Sequence, residues 1–351
     1  MIKRFLIGLI LLSGLGFTTA KKETKPSATK TPPTVQSLIL AGKAKEAAQL
    51  ALKTKGALDE AVTKLLSDVD DQITDRKVKE AATTIAAVDS FLDAYAAKDK
   101  AKTLPRDAVK GRLLRVEGIQ LSDKGEFEKA ETVLRQALEA SQKAKDPVLE
   151  AGVHNNLGYA LRNLKKQAEA VTEFEIAAQM AESQKDDLRA GSYNINLGET
   201  LLLRDSAEKA LVAFRKAADQ NRAAGRPDRE ARAIFMQAMT LDQLDMRGGN
   251  ALILKQVLEL YKQSAEMYEK LADDHNAGLS WYRMAEKSSR ATKWDLAATY
   301  GEKALPYYVK AANRAGQHAC YTILANAYKA LRNTAKAEQN AKLAEETKEQ
   351  K

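Results

Sequence analysis

The sequence predicts an all-α fold, an α-solenoid of about seven to eight antiparallel helix pairs, which is the architecture that a repeated helix-pair motif produces. Alanine, lysine, leucine and glutamate dominate the 351 residues, and three of the seven prolines fall before residue 34, so helix formers fill the rest of the chain. A hydrophobic content of 44% is sufficient for a buried core. The same irregular pattern of apolar and small residues also returns at a 40-residue step, which indicates stacked copies of one unit.

The clearest two copies read HNNLGYALRNLKKQAEAVTEFEIAAQ and NINLGETLLLRDSAEKALVAFRKAAD. They share Leu157 with Leu197, Gly158 with Gly198, Leu161 with Leu201, Ala170 with Ala210, Phe174 with Phe214 and Ala177 with Ala217. Small residues are needed where two antiparallel helices cross closely. Gly158 and Ala170 are therefore predicted to lie at the crossing of two helices, with Phe174 filling the space beside them.

This arrangement resembles the tetratricopeptide repeat, in which a first helix (helix A) packs antiparallel to a second (helix B). The 40-residue step and the NLG sequence in helix A are similar to the longer repeats of kinesin light chains. The resemblance implies a right-handed superhelix whose concave groove is lined by the A helices. Because each repeat contacts mainly its neighbours, one copy alone would be unstable.

The first element in chain order is a signal-peptide pattern at residues 1–20. Lys3 and Arg4 precede an apolar run, which small residues at Thr18 and Ala20 follow, as in secretory signals. The run is too short to cross a hydrocarbon core of ~30 Å. We therefore expect export, to the periplasm or alternatively out of the cell, with no transmembrane segment after cleavage.

The next elements are a linker and the helical array. Residues 21–34 are rich in Lys, Thr, Ser and Pro, which predicts a disordered linker. Residues 35–104 are predicted to form degenerate N-terminal helices similar to the same repeat. Residues 105–350 are predicted to form the solenoid, with an insertion near 244–258, where the expected small residues are displaced. Further copies of the motif are marked by Gly118, Trp281 and Tyr321.

No motif predicts catalysis. The three histidines lack the spacing of paired metal ligands, and no nucleophile elbow, phosphate loop or calcium loop is present. Asp70 and Asp71, like the other acidic pairs, are interpreted as helix-capping residues, and Cys320, the only cysteine, as a small buried hydrophobe. We therefore expect no enzyme activity, catalytic residue, metal or cofactor. Much of the net charge of +9 lies in residues 21–34, and elsewhere basic and acidic residues alternate along the helices without a basic aromatic face. Nucleic acid is therefore not an expected partner.

The positions that distinguish this array are the exposed ones on the A helices. The groove pattern of the resembled family selects Asn155, Asn156, Tyr159, Arg162, Asn163, Asn196, Glu199, Phe235, Met239, Arg283 and Asn326. Asparagine amides both donate and accept hydrogen bonds, so a row of them can hold an extended peptide backbone. Alternatively, Asn156 and Asn196 bridge to the neighbouring helix. Phe235 and Met239 either contact the partner or belong to the core.

Two functions fit these features. The first is an exported adaptor whose groove binds a segment of a partner protein and thereby assembles or regulates a complex at the cell envelope. The second is a structural protein that associates with itself. The lysines of the family's carboxylate clamp are missing from the corresponding positions, so capture of a peptide carboxyl terminus by that clamp is not expected.

Overall fold

The computed structural model describes residues 32–245 and 250–348, and within them the chain is a succession of α-helices without a strand. The predicted signal peptide lies outside the described residues, as do residues 21–31 of the predicted linker and residues 246–249 of the predicted insertion. The sixteen helices of the described chain are α1 (Val35–Leu40), α2 (Ala44–Lys53), α3 (Ala57–Thr74), α4 (Val78–Ala96), α5 (Arg106–Asp123), α6 (Phe127–Ala144), α7 (Pro147–Asn163), α8 (Gln167–Ser183), α9 (Asp187–Leu202), α10 (Ala207–Ala223), α11 (Pro227–Leu244), α12 (Ala251–Lys270), α13 (Asp274–Arg290), α14 (Trp294–Lys310), α15 (Arg314–Ala330) and α16 (Thr334–Thr347). None of these helices is both long and apolar enough to cross a membrane. The predicted all-α fold is confirmed.

Helices α5–α16 form six regular pairs. The A helices are α5, α7, α9, α11, α13 and α15; each packs on the B helix that follows it, and each B helix packs on the next A helix. Helices α7, α9 and α11 begin at residues 147, 187 and 227, which preserves the 40-residue step. Helix α13 begins at residue 274, 47 residues after α11, and α12 has 20 residues where α10 and α14 have 17. The longer step lies where the sequence predicts an insertion.

Glycine sets the distance between the two helices of a pair. A Cβ atom on Gly158 would lie 3.0 Å from the ring of Phe174, and one on Gly198 would lie 2.6 Å from the ring of Phe214. Both rings are fully buried, so neither can move aside without disturbing its neighbours. The repeated Gly and Phe positions are thus packing requirements of the helix crossing, as the sequence pattern predicts.

The turns before the A helices are as regular as the core. Asp146, Asp186, Asp273 and Asn313 each accept a hydrogen bond from the backbone N–H three residues further on, at 2.9–3.1 Å. An Asp or Asn at this position satisfies one of the N–H groups that a helix leaves unpaired at its start. A side-chain cap therefore marks the start of four of the six A helices, whereas α5 and α11 begin without one.

Helices α1–α4 form a differently packed N-terminal unit (residues 35–96). Helices α2 and α3 each pack mainly on α4 rather than on one another. The buried side chains of the unit form one apolar cluster that extends to Val109 and Val116 of α5, and no buried residue of α7 or of any later described helix belongs to it. Apolar packing therefore joins the unit to the first helix pair alone.

The interpretation of Asp70 and Asp71 as capping residues is wrong. Both lie inside α3, which ends at Thr74. The Asp70 side chain is 1% exposed and pairs with Arg112 and Arg115 of α5. These arginines lie 42 and 45 residues away in sequence, so no local pattern around Asp70 indicates that it is a buried ion-pair residue.

Candidate functional site

The A helices line the concave side of the array. Successive A helices contact one another in the pairs α5–α7, α7–α9, α9–α11 and α13–α15, whereas successive B helices of the described chain make no comparable contact. An array whose A helices are closer together than its B helices curves toward the A helices. The surface on this side, called here the groove face, carries the residues that the sequence selects as partner-binding candidates.

Three of the candidate asparagines bridge neighbouring A helices. The amide of Asn196 on α9 donates to Oδ1 of Asn155 on α7 at 2.8 Å, and Nε of Arg115 on α5 donates to Oδ1 of Asn156 at 2.8 Å. The bridging alternative therefore describes these side chains in this structure. Each of these bonds uses one group of an amide whose side chain is only half-buried. The other group of each amide remains for a ligand, so their role in binding stays a prediction.

Charged side chains continue this row of hydrogen-bonded side chains across the A helices, which is called here the polar ladder. Nη1 of Arg162 lies 3.2 Å from Oε2 of Glu199, and Arg232 of α11 pairs with the same carboxylate. The Arg162 guanidinium also lies 5.2 Å from the centroid of the Tyr159 ring, within the range of a cation–π contact. Asn163 donates to the backbone oxygen of Tyr159 at 2.8 Å, within its own helix. The ladder fixes Arg162 and Glu199 and leaves Tyr159 38% exposed.

The next part of the groove face is aromatic. The ring of Phe235 meets the ring of Tyr261 edge to face, with centroids 5.4 Å apart. Phe235 and Met239 are half-buried and pack on the apolar cluster beneath them. Nη1 of Arg283 donates to Glu286 at 2.8 Å on the same helix. Phe235 and Met239 thus belong both to the core and to the surface, because each side chain buries one side and exposes the other.

The candidates form an extended face and not a pocket. The structure brings Asn155 to Asn196 and Arg162 to Glu199, whereas Asn326 lies exposed on α15, beyond these contacts. Among the described residues, no group of three or more His, Cys, Asp or Glu side chains could hold a metal ion. An extended face with fixed polar groups is suited to binding a chain segment.

The sequence interpretation missed three arginines at the edge of the groove face. Arg189 lies in the first turn of α9, and Arg226 and Arg229 lie at the start of α11. Arg189 pairs with Asp71 at 2.7 Å and Arg226 with Asp75 at 2.9 Å. Arg229 donates to a backbone oxygen at the end of α3 at 2.7 Å. These residues, called here the arginine cluster, therefore hold the carboxyl-terminal end of α3 against two A helices.

Two of the arginines of this contact could have been found in the sequence, but their partners on α3 could not. Arg189 and Arg229 lie forty residues apart and so occupy equivalent positions in successive repeats. Leu149 stands at the same position one repeat earlier, which makes the two arginines a departure from the repeat rather than part of it. Their partners on α3 could not have been found, because 118 and 155 residues separate them in sequence.

A buried charged joint lies beside the arginine cluster. Asp70 accepts hydrogen bonds from Nε of Arg112 at 3.0 Å and from Nη1 of Arg115 at 2.9 Å. Arg112 also donates to Asp146 at 2.8 Å. Burial lowers the pKa of the Arg115 guanidinium, an effect that the charge of Asp70 opposes. Each buried charge is thus compensated by a partner, as the low-dielectric interior requires.

Solved structures match this fold at low sequence identity. No protein-family model matches the sequence, and the comparison with curated proteins found no match. A STAND ATPase with a tetratricopeptide repeat sensor from Pyrococcus horikoshii superposes with a TM-score of 0.61 at 13% identity, over 91% of this chain and 50% of that protein. Aspartyl phosphate phosphatase F from Bacillus subtilis gives 0.55 at 12% identity, over 92% and 95% of the two chains. The apo form of RapI gives 0.54 at 11% identity, over 82% and 97%. The chain is therefore a tetratricopeptide-like helical array, and at these identities the likeness shows the fold alone.

Proposed function

We propose that this chain is an adaptor that binds a segment of a partner protein along its groove face. The observation that carries the proposal is the division of roles among the A-helix side chains. Asn155 and Asn196 bond to each other across two helices, and this ladder fixes the shape of the face. Beside these amides, Tyr159 is exposed and Met239 on α11 is half-buried, although both are large side chains with apolar surface. Accessible aromatic and methionine side chains on a concave surface are suited to contact a partner.

The face fits an extended segment better than a globular surface. The unbonded groups of the asparagine amides can meet backbone N–H and C=O groups of a bound chain. The half-buried patch of Phe235 and Met239 can accept an apolar side chain, and flexible methionine adapts its shape to different ones. Arg162 and Glu199 already compensate each other, so the bound segment needs no fixed charge at that position.

We also propose that the adaptor is exported and acts in a complex at the cell envelope. The support is the three-part pattern of residues 1–20. Amino-terminal sequencing of the protein from a fractionated cell tests this part separately. An envelope-associated chain that begins near Lys21 would support export, whereas a cytosolic chain that retains Met1 would refute it.

The binding test compares variants on the two sides of the array. The unaltered chain is used to capture partners from the envelope fraction, and the captured protein is then titrated with the unaltered chain and with the chain carrying Tyr159→Ala and Met239→Ala. We expect the affinity to fall by about tenfold or more, as for two central interface residues. The matched control carries Val212→Ala and Val309→Ala on the B helices α10 and α14, where these valines are 55% and 52% exposed. Equal affinities of the two double variants would contradict the proposal.

Two further readouts complete the experiment. Thermal unfolding of each variant shows whether the groove face has kept its structure. Light scattering of the purified chain tests the self-association alternative, since a monomer at high concentration excludes it. Asn156→Ala and Asn196→Ala are unsuitable as binding variants, because those amides also hold neighbouring A helices together.

A further inference from the structure

We infer that the arginine cluster is a recognition site for an acidic helical segment of the partner, and that the end of α3 occupies this site in the structure described here. The inference rests on the proposed function, because it names the chemistry of one part of the bound partner. It adds that partner binding and the docking of α3 compete for Arg189, Arg226 and Arg229.

The first argument is that charge alone holds the end of α3 to α9 and α11. The contacts are the ion pairs of Arg189 with Asp71 and of Arg226 with Asp75, a longer pair between Arg229 and Asp75 at 4.0 Å, and the hydrogen bond that Arg229 donates to the α3 backbone. No buried apolar residue of α9 or α11 belongs to the cluster that anchors α3. A contact without an apolar core can open without exposing hydrophobic surface to water, so the end of α3 can be exchanged for another acidic segment.

The second argument is the contrast with the neighbouring buried joint. Asp70, Arg112 and Arg115 are 1–4% exposed, and separating them would leave buried charges unpaired. In the outer contacts, by comparison, the carboxylates of Asp71 and Asp75 are 57% and 43% exposed, although their partners Arg189 and Arg226 are only 11% and 28% exposed. Exposed ion pairs are individually weak. The inner joint is therefore a permanent anchor for α3, and the outer contacts are the part that can open.

The third argument is that α3 does not satisfy the site. Nε of Arg189 is buried without a hydrogen-bond partner within the described chain, and so is the hydroxyl of Tyr193 on the same helix. Tyr193 is 4% exposed. Both groups are donors at this edge of the groove face, and buried donors are ordinarily paired. A segment that brings more acceptor atoms than α3 would satisfy them and would therefore bind in preference to α3.

These features define the chemistry of the ligand. The end of α3 presents the carboxylates of Asp71 and Asp75 four residues apart, one helical turn. It also directs its carbonyl-bearing, partially negative end toward the positive starts of α9 and α11. A partner segment of the same kind is a helix with two carboxylates one turn apart near its carboxyl-terminal end.

The test uses a synthetic copy of α3 as the probe. A fluorescein-labelled, capped peptide of residues 57–77 is titrated by fluorescence anisotropy into the full chain and into the full chain carrying Asp71→Ala and Asp75→Ala, called here the freed chain. These substitutions remove both carboxylates of α3 that pair with the arginine cluster and leave only the hydrogen bond of Arg229 to the α3 backbone. We expect the freed chain to bind the peptide about tenfold more tightly than the unaltered chain, because the internal competitor has been weakened. Adding Arg226→Gln and Arg229→Gln to the freed chain should abolish this gain.

Matched controls make the result decisive. Added to the freed chain, Arg135→Gln removes a half-exposed arginine of α6 and should leave peptide binding unchanged. A peptide carrying Asp71→Ala and Asp75→Ala should not bind. Equal binding to the freed and unaltered chains would overturn the inference, and so would binding that survives the two arginine substitutions, or no binding to a freed chain whose melting temperature is unchanged.

The outcome is separable from that of the proposed function. If Tyr159→Ala with Met239→Ala weakens partner binding while Arg226→Gln with Arg229→Gln does not, the adaptor function stands and the acidic-segment site is refuted. If neither pair of substitutions changes partner binding, the groove-face proposal itself fails.

Discussion

The joint between the two helices of a repeat and the joint between the N-terminal unit and the array are held by different forces. Within a repeat, Gly198 lets the ring of Phe214 reach the backbone of the opposite helix, and the contact is wholly apolar. Between α3 and the array, Asp70 is buried against two guanidinium groups. The apolar joint recurs along the array, at Gly158 with Phe174 and at Gly198 with Phe214, whereas the joint at Asp70 links the N-terminal unit to the array. A periodic joint extends an array, and a unique joint fixes one unit at one place on it.

The apolar joint and the charged joint also differ in how well they tolerate substitutions. Apolar packing is non-directional and loses stability in proportion to the contact removed. A buried ion pair loses most when one partner alone is removed, because the other charge stays buried without compensation. The two joints should therefore respond differently to substitutions of similar size.

The largest effect is expected at the charged joint. Asp70→Ala should lower the free energy of unfolding by about 3–5 kcal/mol, since Arg115 would remain buried without a carboxylate partner and Arg112 would keep only Asp146. The matched control is Asp71→Ala, next in sequence and 57% exposed, for which a loss below about 1 kcal/mol is expected. Urea unfolding followed by circular dichroism measures both. Similar losses for the two variants would show that the joint is not the buried ion pair described here.

A smaller effect is expected at the apolar joint. Gly198→Ala should destabilise the chain by about 1–3 kcal/mol through overpacking, although alanine is the better helix former. Phe214→Leu should also destabilise it when made alone, by removing a buried ring. The double variant should lose less than the sum of the two, because the smaller side chain makes room for the new methyl group. Strict additivity of the two losses would argue against this helix crossing.

The buried thiol of Cys320 in the C-terminal half should make the stability of the folded chain decrease at alkaline pH. Burial raises the pKa of the Cys320 thiol from its ordinary value of 9.0 to about 12. A raised pKa in the folded state means that the stability is complete below about pH 9 and declines as the pH rises toward 12, by roughly 1.4 kcal/mol per pH unit at most. Urea unfolding of the unaltered chain and of Cys320→Ala at pH 8 to about 10.5 tests this. Parallel pH profiles would exclude a contribution from the thiol.

The smallest effect is expected on the polar ladder of the groove face. Asn196→Ala removes the bond to Asn155 across two A helices and should cost about 1 kcal/mol. Asn163→Ala removes only a bond within one helix and should change stability by less than about 0.5 kcal/mol. Thermal unfolding of the two variants gives the comparison. If Asn163→Ala proves the more costly, the ladder does not contribute to repeat stacking.

Sequence reasoning succeeded where the structure is periodic. Gly158 with Phe174 and Gly198 with Phe214 could be assigned as packing pairs because the same letters recur at one offset. It also selected the A-helix positions that form the groove face. It failed for Asp70, which looks like any helix-end aspartate, and for Arg226, whose partner Asp75 is 151 residues away. Unique contacts of that length leave no repeated signal.

The sequence by itself determined the helices, their pairing and the face that the A helices present, because these depend on residues that interact within a repeat or with the next one. Only the tertiary structure decided that three asparagines of that face bridge helices and that the end of α3 covers the arginine cluster. The physical reason is the distance in sequence that separates the residues in contact. Packing between neighbours is encoded by local spacing, whereas the place where an array curves back onto its own first helices depends on the small rotations of all the repeats between them.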